Sequence, residues 1–218
     1  MFYLARGVMS PASYVYRTFP PEVVSNTHDF DVRRVVHNGR HMRGVFARRT
    51  IGVPECSLYM GVYPGYRIRK EESELKVAHY AAQHAVDRRT AIRKVVAYTL
   101  SLREKDPGYV LDPTDEEGNL VPEFIPYLVC YINEPPPECP AKAAFVYNQP
   151  RQRYEVWLLQ GVEQDEEVYL YYGRQYVRDY PFNPNGKDEQ FSHYIPSESI
   201  FNLDRRGIPA PLQVPDVA

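Results

Sequence analysis

At 218 residues the chain is long enough for one sizeable core, and its 44% hydrophobic and 25% charged content excludes a disordered or fibrous protein. With 26 basic against 28 acidic residues, no field over the whole molecule draws in nucleic acid or an anionic membrane, so direct binding to either is not expected. Twenty prolines and 19 tyrosines predict short strands and long turns, because proline interrupts helices and ladders while tyrosine suits half-buried strands and polar pocket walls.

Residues 1–30 mix aromatics with Pro11, Pro20 and Pro21 without a sustained period, and they read as an irregular leader packed on the body. Neither a basic stretch leading into an apolar segment nor a long apolar run follows Met1, so secretion and membrane spanning are not expected. From Asp31 to Tyr63 the chain reads as short β segments: Val32, Val35 and Val36, then Val45 to Ala47, then Leu58 to Tyr63, punctuated by Gly39, Gly52 and Pro54. Between about residues 71 and 105 the period changes. Leu75, Ala78, Ala82 and Ala85, then Ile92, Val95, Val96 and Leu100, recur at helical spacing and predict two helices or one broken helix. Strand character returns at Tyr109 to Asp112, ahead of the acidic turn Asp115 to Asn119. Leu128 to Ile132, Ala144 to Val146, Tyr154 to Leu159 and Val168 to Tyr172 are further strand candidates. The proline-rich residues 181–218 read as an extended arm. Cys56, Cys130 and Cys139 are odd in number and lack Cys-x-x-Cys spacing, which predicts no disulfide framework, no structural metal site and an intracellular setting, nucleus or cytoplasm.

Three separated segments resemble the signature blocks of the SET-domain family, in that family's order. Met42-Arg43-Gly44-Val45-Phe46-Ala47, with Ile51 and Tyr59-Met60-Gly61, is similar to Gly-x-Gly-Val-Phe-Ala…Ile…Tyr-x-Gly, with Met42 in place of the first glycine. Tyr131-Ile132-Asn133-Glu134-Pro135, with Cys139-Pro140-Ala141-Lys142-Ala143 downstream, resembles Phe-Ile-Asn-His-Ser-Cys-x-Pro-Asn-Ala. Glu134 stands for the histidine and Lys142 for the second asparagine. Asp165-Glu166-Glu167-Val168-Tyr169-Leu170-Tyr171-Tyr172-Gly173, with Tyr176, resembles Gly-Glu-Glu-Leu-x-x-Asp-Tyr-Gly-x-x-Tyr and is the closest match. The blocks span roughly residues 32 to 180. The resemblance implies a mainly β SET-domain fold over residues 31–180, with short strands in small sheets, a pseudoknot and an inserted helical segment. It implies a methyltransferase that uses S-adenosylmethionine to methylate the ε-amino group of lysine in a protein or peptide, a histone-like one included. Backbone at Met42, Arg43 and Gly44 would line the cofactor site, Asn133 would hydrogen-bond its amino-acid moiety beside Glu134, Tyr172 would border both the cofactor and the lysine channel, and Tyr59 would form another wall of that channel. The family's zinc-binding cysteines after the domain are absent, and Tyr176, Tyr180 or Phe182 are candidates to stack on the adenine.

Methyl transfer from a sulfonium requires a neutral lysine, which costs about 4.6 kcal/mol at pH 7 for a group of ordinary pKa. A dry aromatic channel and the sulfonium charge both lower that cost, so no strong general base is needed; alignment of amine, methyl and sulfur is the remaining work. Each residue also has a plainer reading. Tyr172 and Tyr59 alone are strand residues packing a face, Asn133 caps a turn before Pro135, and Gly44 marks a β-turn. Glu134 alone is a surface carboxylate, and Glu166 with Glu167 reads as a solvated turn. The replacements at Met42, Glu134 and Lys142 leave a second function open, a catalytically inactive SET-like protein-binding module.

Overall fold

The computed structural model describes residues 25–37, 39–52, 58–102, 108–148 and 153–172, with Tyr176 and Tyr180. The expected leader up to residue 24, the arm after Tyr180, Cys56, Gly173 and Phe182 lie outside the described residues. What is described is mainly β, in small antiparallel sheets with two helices. It divides into two units, one from Pro64 to Ile125 and one from the described residues on either side of that stretch.

In the flanking unit, β1 (Phe30–His37) and β2 (Arg40–Ala47) form a hairpin with His37 opposite Arg40. Its two-residue connection ends in Gly39 at φ 74°, the left-handed conformation that such tight turns require. β9 (Glu167–Val168) adds to the other side of β2, giving the order β1-β2-β9. A second sheet has β8 (Arg153–Leu158) between β3 (Leu58–Val62) and β7 (Ala143–Asn148). Phe30, Val45, Met60, Val156, Trp157, Leu158 and Leu170 are almost wholly buried and make the core. One ion pair lies among them: Arg153 and Glu155 are both almost wholly buried, and Glu155 accepts from Arg153 Nε (2.6 Å), Asn148 (3.1 Å) and Trp157 Nε1 (3.2 Å). Leu128 to Ile132, expected as a strand, is instead a 3₁₀ turn over Leu128–Tyr131. Leu128, Val129 and Cys130 are all buried, so the run lacks the alternation that a half-buried strand needs.

In the unit from Pro64 to Ile125, β6 (Tyr109–Asp112) lies between β4 (Tyr66–Arg69) and β5 (Leu100–Ser101). Helices α1 (Lys70–His84) and α2 (Arg88–Val95) occupy most of the stretch where a helical period is read, but α2 ends at its cap Val96, and Leu100, expected in the helical run, lies in β5. Asp87 caps α2 by accepting from the Thr90 amide at 3.0 Å. The buried face of α1 differs from the expected one. Leu75 is 68% exposed, and Ala78, Ala82 and Ala85 are exposed with it, whereas Ser73, Lys76 and Val77 are buried. Val77 packs with Ala91 and Val95 of α2, while Lys76 Nζ donates to Asp112 (2.8 Å) and Thr114 Oγ1 (2.6 Å). A buried ion pair therefore turns the helix away from its most apolar residue.

Candidate functional site

The three resembling segments meet in the flanking unit, through hydrogen bonds that join residues far apart in the chain. Asn133 Nδ2 donates to the Arg43 carbonyl (2.9 Å) and to Glu167 Oε1 (2.7 Å), tying the second segment to the first and third at once. The Leu170 amide donates to the Asn133 carbonyl (2.9 Å), and Asn133 and Tyr169 form a parallel bridge. A second parallel bridge joins Leu170 to Ala143, and the Lys142 and Ala143 amides both donate to the Tyr169 carbonyl at 3.0 Å. Residues 169–170 thus bond to both ends of the segment running from Asn133 to Ala143.

Gly44 sits where the blocks press closest. A Cβ built there would collide with the Glu167 carboxylate, its Cδ at 2.8 Å, and would stand 3.2 Å from Asn133 Nδ2. Close approach of side chains, not backbone dihedral freedom, is what calls for glycine at this position. Arg43 next to it is exposed and lies over the Tyr131 ring at 5.2 Å, with NH1 3.4 Å from the Tyr131 hydroxyl. Met42 is 40% exposed and pairs across the hairpin with Val35.

Glu167, read from sequence as part of a solvated turn, is buried and acts as a hub. His37 Nε2 lies 2.9 Å from Oε2, the Tyr169 hydroxyl donates to Oε2 at 3.2 Å, and Asn133 holds Oε1. The turn signal at Gln164-Asp165-Glu166 is real, but the next residue already begins β9 and points inward. Burial and the neighbouring Glu167 charge together push the Tyr169 phenol far up from its ordinary value. Glu166, half-buried, pairs with Lys142 at 2.5 Å.

Glu134 is buried and binds the third segment: Oε1 accepts from the Tyr172 amide (3.2 Å) and Oε2 from the Tyr180 hydroxyl (3.1 Å). The Tyr172 hydroxyl donates to the Ile132 carbonyl (2.6 Å), and its ring meets Tyr176 edge-on at 4.8 Å. Part of the Tyr172 side chain reaches the surface, but its hydroxyl is enclosed. Burial first, then Tyr176, Tyr180, Tyr63 and Glu134 nearby, hold that phenol well above its usual range, so it stays protonated at neutral pH. Tyr63, a buried residue that sequence reading did not single out, is thus the tyrosine following β3 that bears on Tyr172. Tyr59 is a core residue of β3, its ring edge-on to Trp157 at 5.4 Å. Only its place between the nearby Tyr59 and Tyr66 could have flagged Tyr63.

The chemistry available here is specific. Both N–H groups of the Asn133 amide are engaged, so a ligand would meet that side chain through the acceptor Oδ1. Two buried carboxylates, Glu134 and Glu167, give a field that favours cations, and Arg43 offers an exposed guanidinium for an anion. Among the described residues no group of three His, Cys, Asp or Glu side chains is arranged to hold a metal ion, and no helix is long and apolar enough to cross a membrane. No protein-family model matches the chain. No curated protein matches it either.

Proposed function

We propose that this protein is a divergent SET-domain methyltransferase that transfers a methyl group from S-adenosylmethionine to the ε-amino group of lysine in a protein substrate. The observation that carries the reading is the meeting of the three segments at Asn133, which donates to Arg43 on one side and Glu167 on the other. Accidental resemblances scattered over the chain would have no reason to share one amide. The run of residues 169–170 along both Asn133 and Ala143 agrees with the threaded crossing that the family's fold requires.

The donor set fits the cofactor. S-adenosylmethionine brings a cationic sulfonium with a labile methyl and a zwitterionic amino-acid end. Asn133 Oδ1 suits its ammonium, the Arg43 guanidinium suits its carboxylate, and Glu134 and Glu167 favour its net positive charge. The Tyr172 hydroxyl, kept protonated and donating to Ile132, has lone pairs left to accept from a neutral amine and orient it. A phenol held that way is a positioning acceptor and not a proton acceptor, in keeping with a reaction in which the lysine gives up its proton to solvent and enters the channel as the neutral amine, the form that desolvation favours.

Calorimetry with S-adenosylmethionine, followed by methyl transfer to a lysine-peptide array, tests the reading. Tyr172→Phe should cost about 1–3 kcal/mol of stability through the lost bond to the Ile132 carbonyl and cut turnover roughly a hundredfold, about 2.7 kcal/mol, while Tyr154→Phe on β8 leaves turnover unchanged. No binding of S-adenosylmethionine would reject the proposal. Binding without transfer to any peptide would favour the second reading, a SET-like binding module, which the replacements at Met42, Glu134 and Lys142 motivate.

A further inference from the structure

The outer edge of β1 is the largest unassigned feature of the described residues. β1 is eight residues long and ends the sheet β1-β2-β9, and among the described residues no strand pairs with its other side. The register fixes which groups that edge presents. Because His37 and Arg40 flank a two-residue connection, they exchange both their backbone hydrogen bonds, and alternation along the ladder turns the N–H and C=O of Val32, Arg34 and Val36 outward. The side chains of the same three residues are exposed, Val36 at 58% and Val32 at 36%. A long, flat edge with exposed valines is a template for strand addition unless charge blocks it.

The charge on this edge is selective. Between residues 29 and 50 there are six arginines, at 33, 34, 40, 43, 48 and 49, against two carboxylates, Asp29 and Asp31, in a chain whose net charge is −2; Arg49 pairs with Asp29 at 2.8 Å and Arg33 with Asp165 at 2.7 Å. Asp31 is already engaged by Arg33 at 2.9 Å. Arg34 makes no ion pair among the described residues, and its cross-strand neighbour on the same face is another arginine, Arg43. Like charges directly opposite one another cost stability, and an incoming carboxylate would relieve that cost.

We propose that the outer edge of β1 takes up an extended acidic segment of another protein as an added strand. A carboxylate of that segment faces Arg34, and apolar side chains two residues to either side face Val32 and Val36. A second copy of this chain is the poorer occupant, because antiparallel pairing centred on Arg34 sets arginine against arginine. Docking at this edge does not require cofactor binding or methyl transfer, although Arg43, opposite Arg34, is the guanidinium proposed for the cofactor's carboxylate.

Fluorescence anisotropy of the full chain with labelled Thr-Val-Thr-Glu-Thr-Val-Thr is the test, compared with the same peptide carrying lysine for glutamate. The glutamate peptide should bind at least about tenfold tighter, and methylating the alternate backbone amides that face β1 should abolish binding. Arg34→Glu should reverse the preference toward the lysine peptide, and Arg34→Gln should flatten it, with melting temperatures near that of the unaltered chain because Arg34 is exposed. Equal binding of the two peptides, or a preference untouched by both variants, would overturn the proposal. So would a dimer in sedimentation that Arg34→Glu dissolves, or a labelled single-stranded RNA that binds tighter than the glutamate peptide.

Discussion

Gly44 shows how much one missing side chain decides. The room its absent Cβ leaves is filled by the Glu167 carboxylate and the Asn133 amide, so the residue is where the first block admits the other two. Gly44→Ala should destabilise the fold by about 1–3 kcal/mol in urea denaturation, the usual cost of overpacking a tight site. Combined with Glu167→Ala, which removes the colliding carboxylate, the loss should fall well short of the sum of the two single losses. Simple additivity would mean that the two side chains do not compete for the same space. Asn133 carries the same logic. Because its amide bonds to Arg43 and Glu167, Asn133→Ala should lower stability as well as affinity for S-adenosylmethionine, and calorimetry beside melting curves separates the two losses.

At the scale of elements, α1 separates what pattern can tell from what it cannot. Its existence follows from the change of hydrophobic period after residue 70, but the face it buries is set by Lys76 reaching Asp112 and Thr114, which lie far along the chain. Lys76→Ala should therefore cost about 3–5 kcal/mol, since it strands a buried carboxylate, whereas Leu75→Gln should change stability by less than about 0.5 kcal/mol. Equal losses in chemical denaturation would restore the expected face. The same limit explains the other departures. The turn Leu128–Tyr131 is as apolar as a strand but buries Leu128, Val129 and Cys130 in succession, and Glu167 follows a genuine turn yet points into the molecule. β1, β2, β3, β6, β7 and β8 were legible because each alternates or is bounded by glycine, proline or charge. The short strand β4 gives no such signal, and Leu100 of β5 falls in register with the helical period before it although it forms a strand. Of the candidate site, Asn133, Glu134, Gly44 and Tyr172 came from recurring residue patterns, while Glu167, His37 and Tyr63 needed the third dimension.

For the molecule as a whole, the buried phenols and thiol set a limit on the alkaline side. Burial raises the Cys130 thiol and, with the neighbouring charges already named, the Tyr169 and Tyr172 phenols; Tyr127 and Tyr131 are raised too, again chiefly by burial. In the unfolded chain these groups lose their protons near ordinary values, about 8.5 for a thiol and about 10 for a phenol. Above those values the folded state binds more protons than the unfolded one, so unfolding releases protons and stability falls as pH rises. The contribution is complete below about pH 8.5 and is lost in two stages, the thiol's first and the phenols' from about pH 10 upward. Asp29 acts in the opposite sense. Burial works to raise its carboxyl, but hydrogen bonds from Arg49, Asn26 and His28 outweigh it and hold the group below its usual range. Its contribution is therefore present above about pH 4 and lost in stronger acid. Melting temperature measured from pH 3 to pH 11 should trace a dome whose alkaline shoulder begins near pH 8.5. Cys130→Val should delay that shoulder to about pH 10, because it replaces the thiol with a slightly larger apolar side chain, and Tyr169→Phe should then flatten part of the remaining slope. A melting temperature unchanged up to pH 11 would mean that these groups titrate as they do in the unfolded chain, and that the enclosure described for the Tyr172 hydroxyl is open to water.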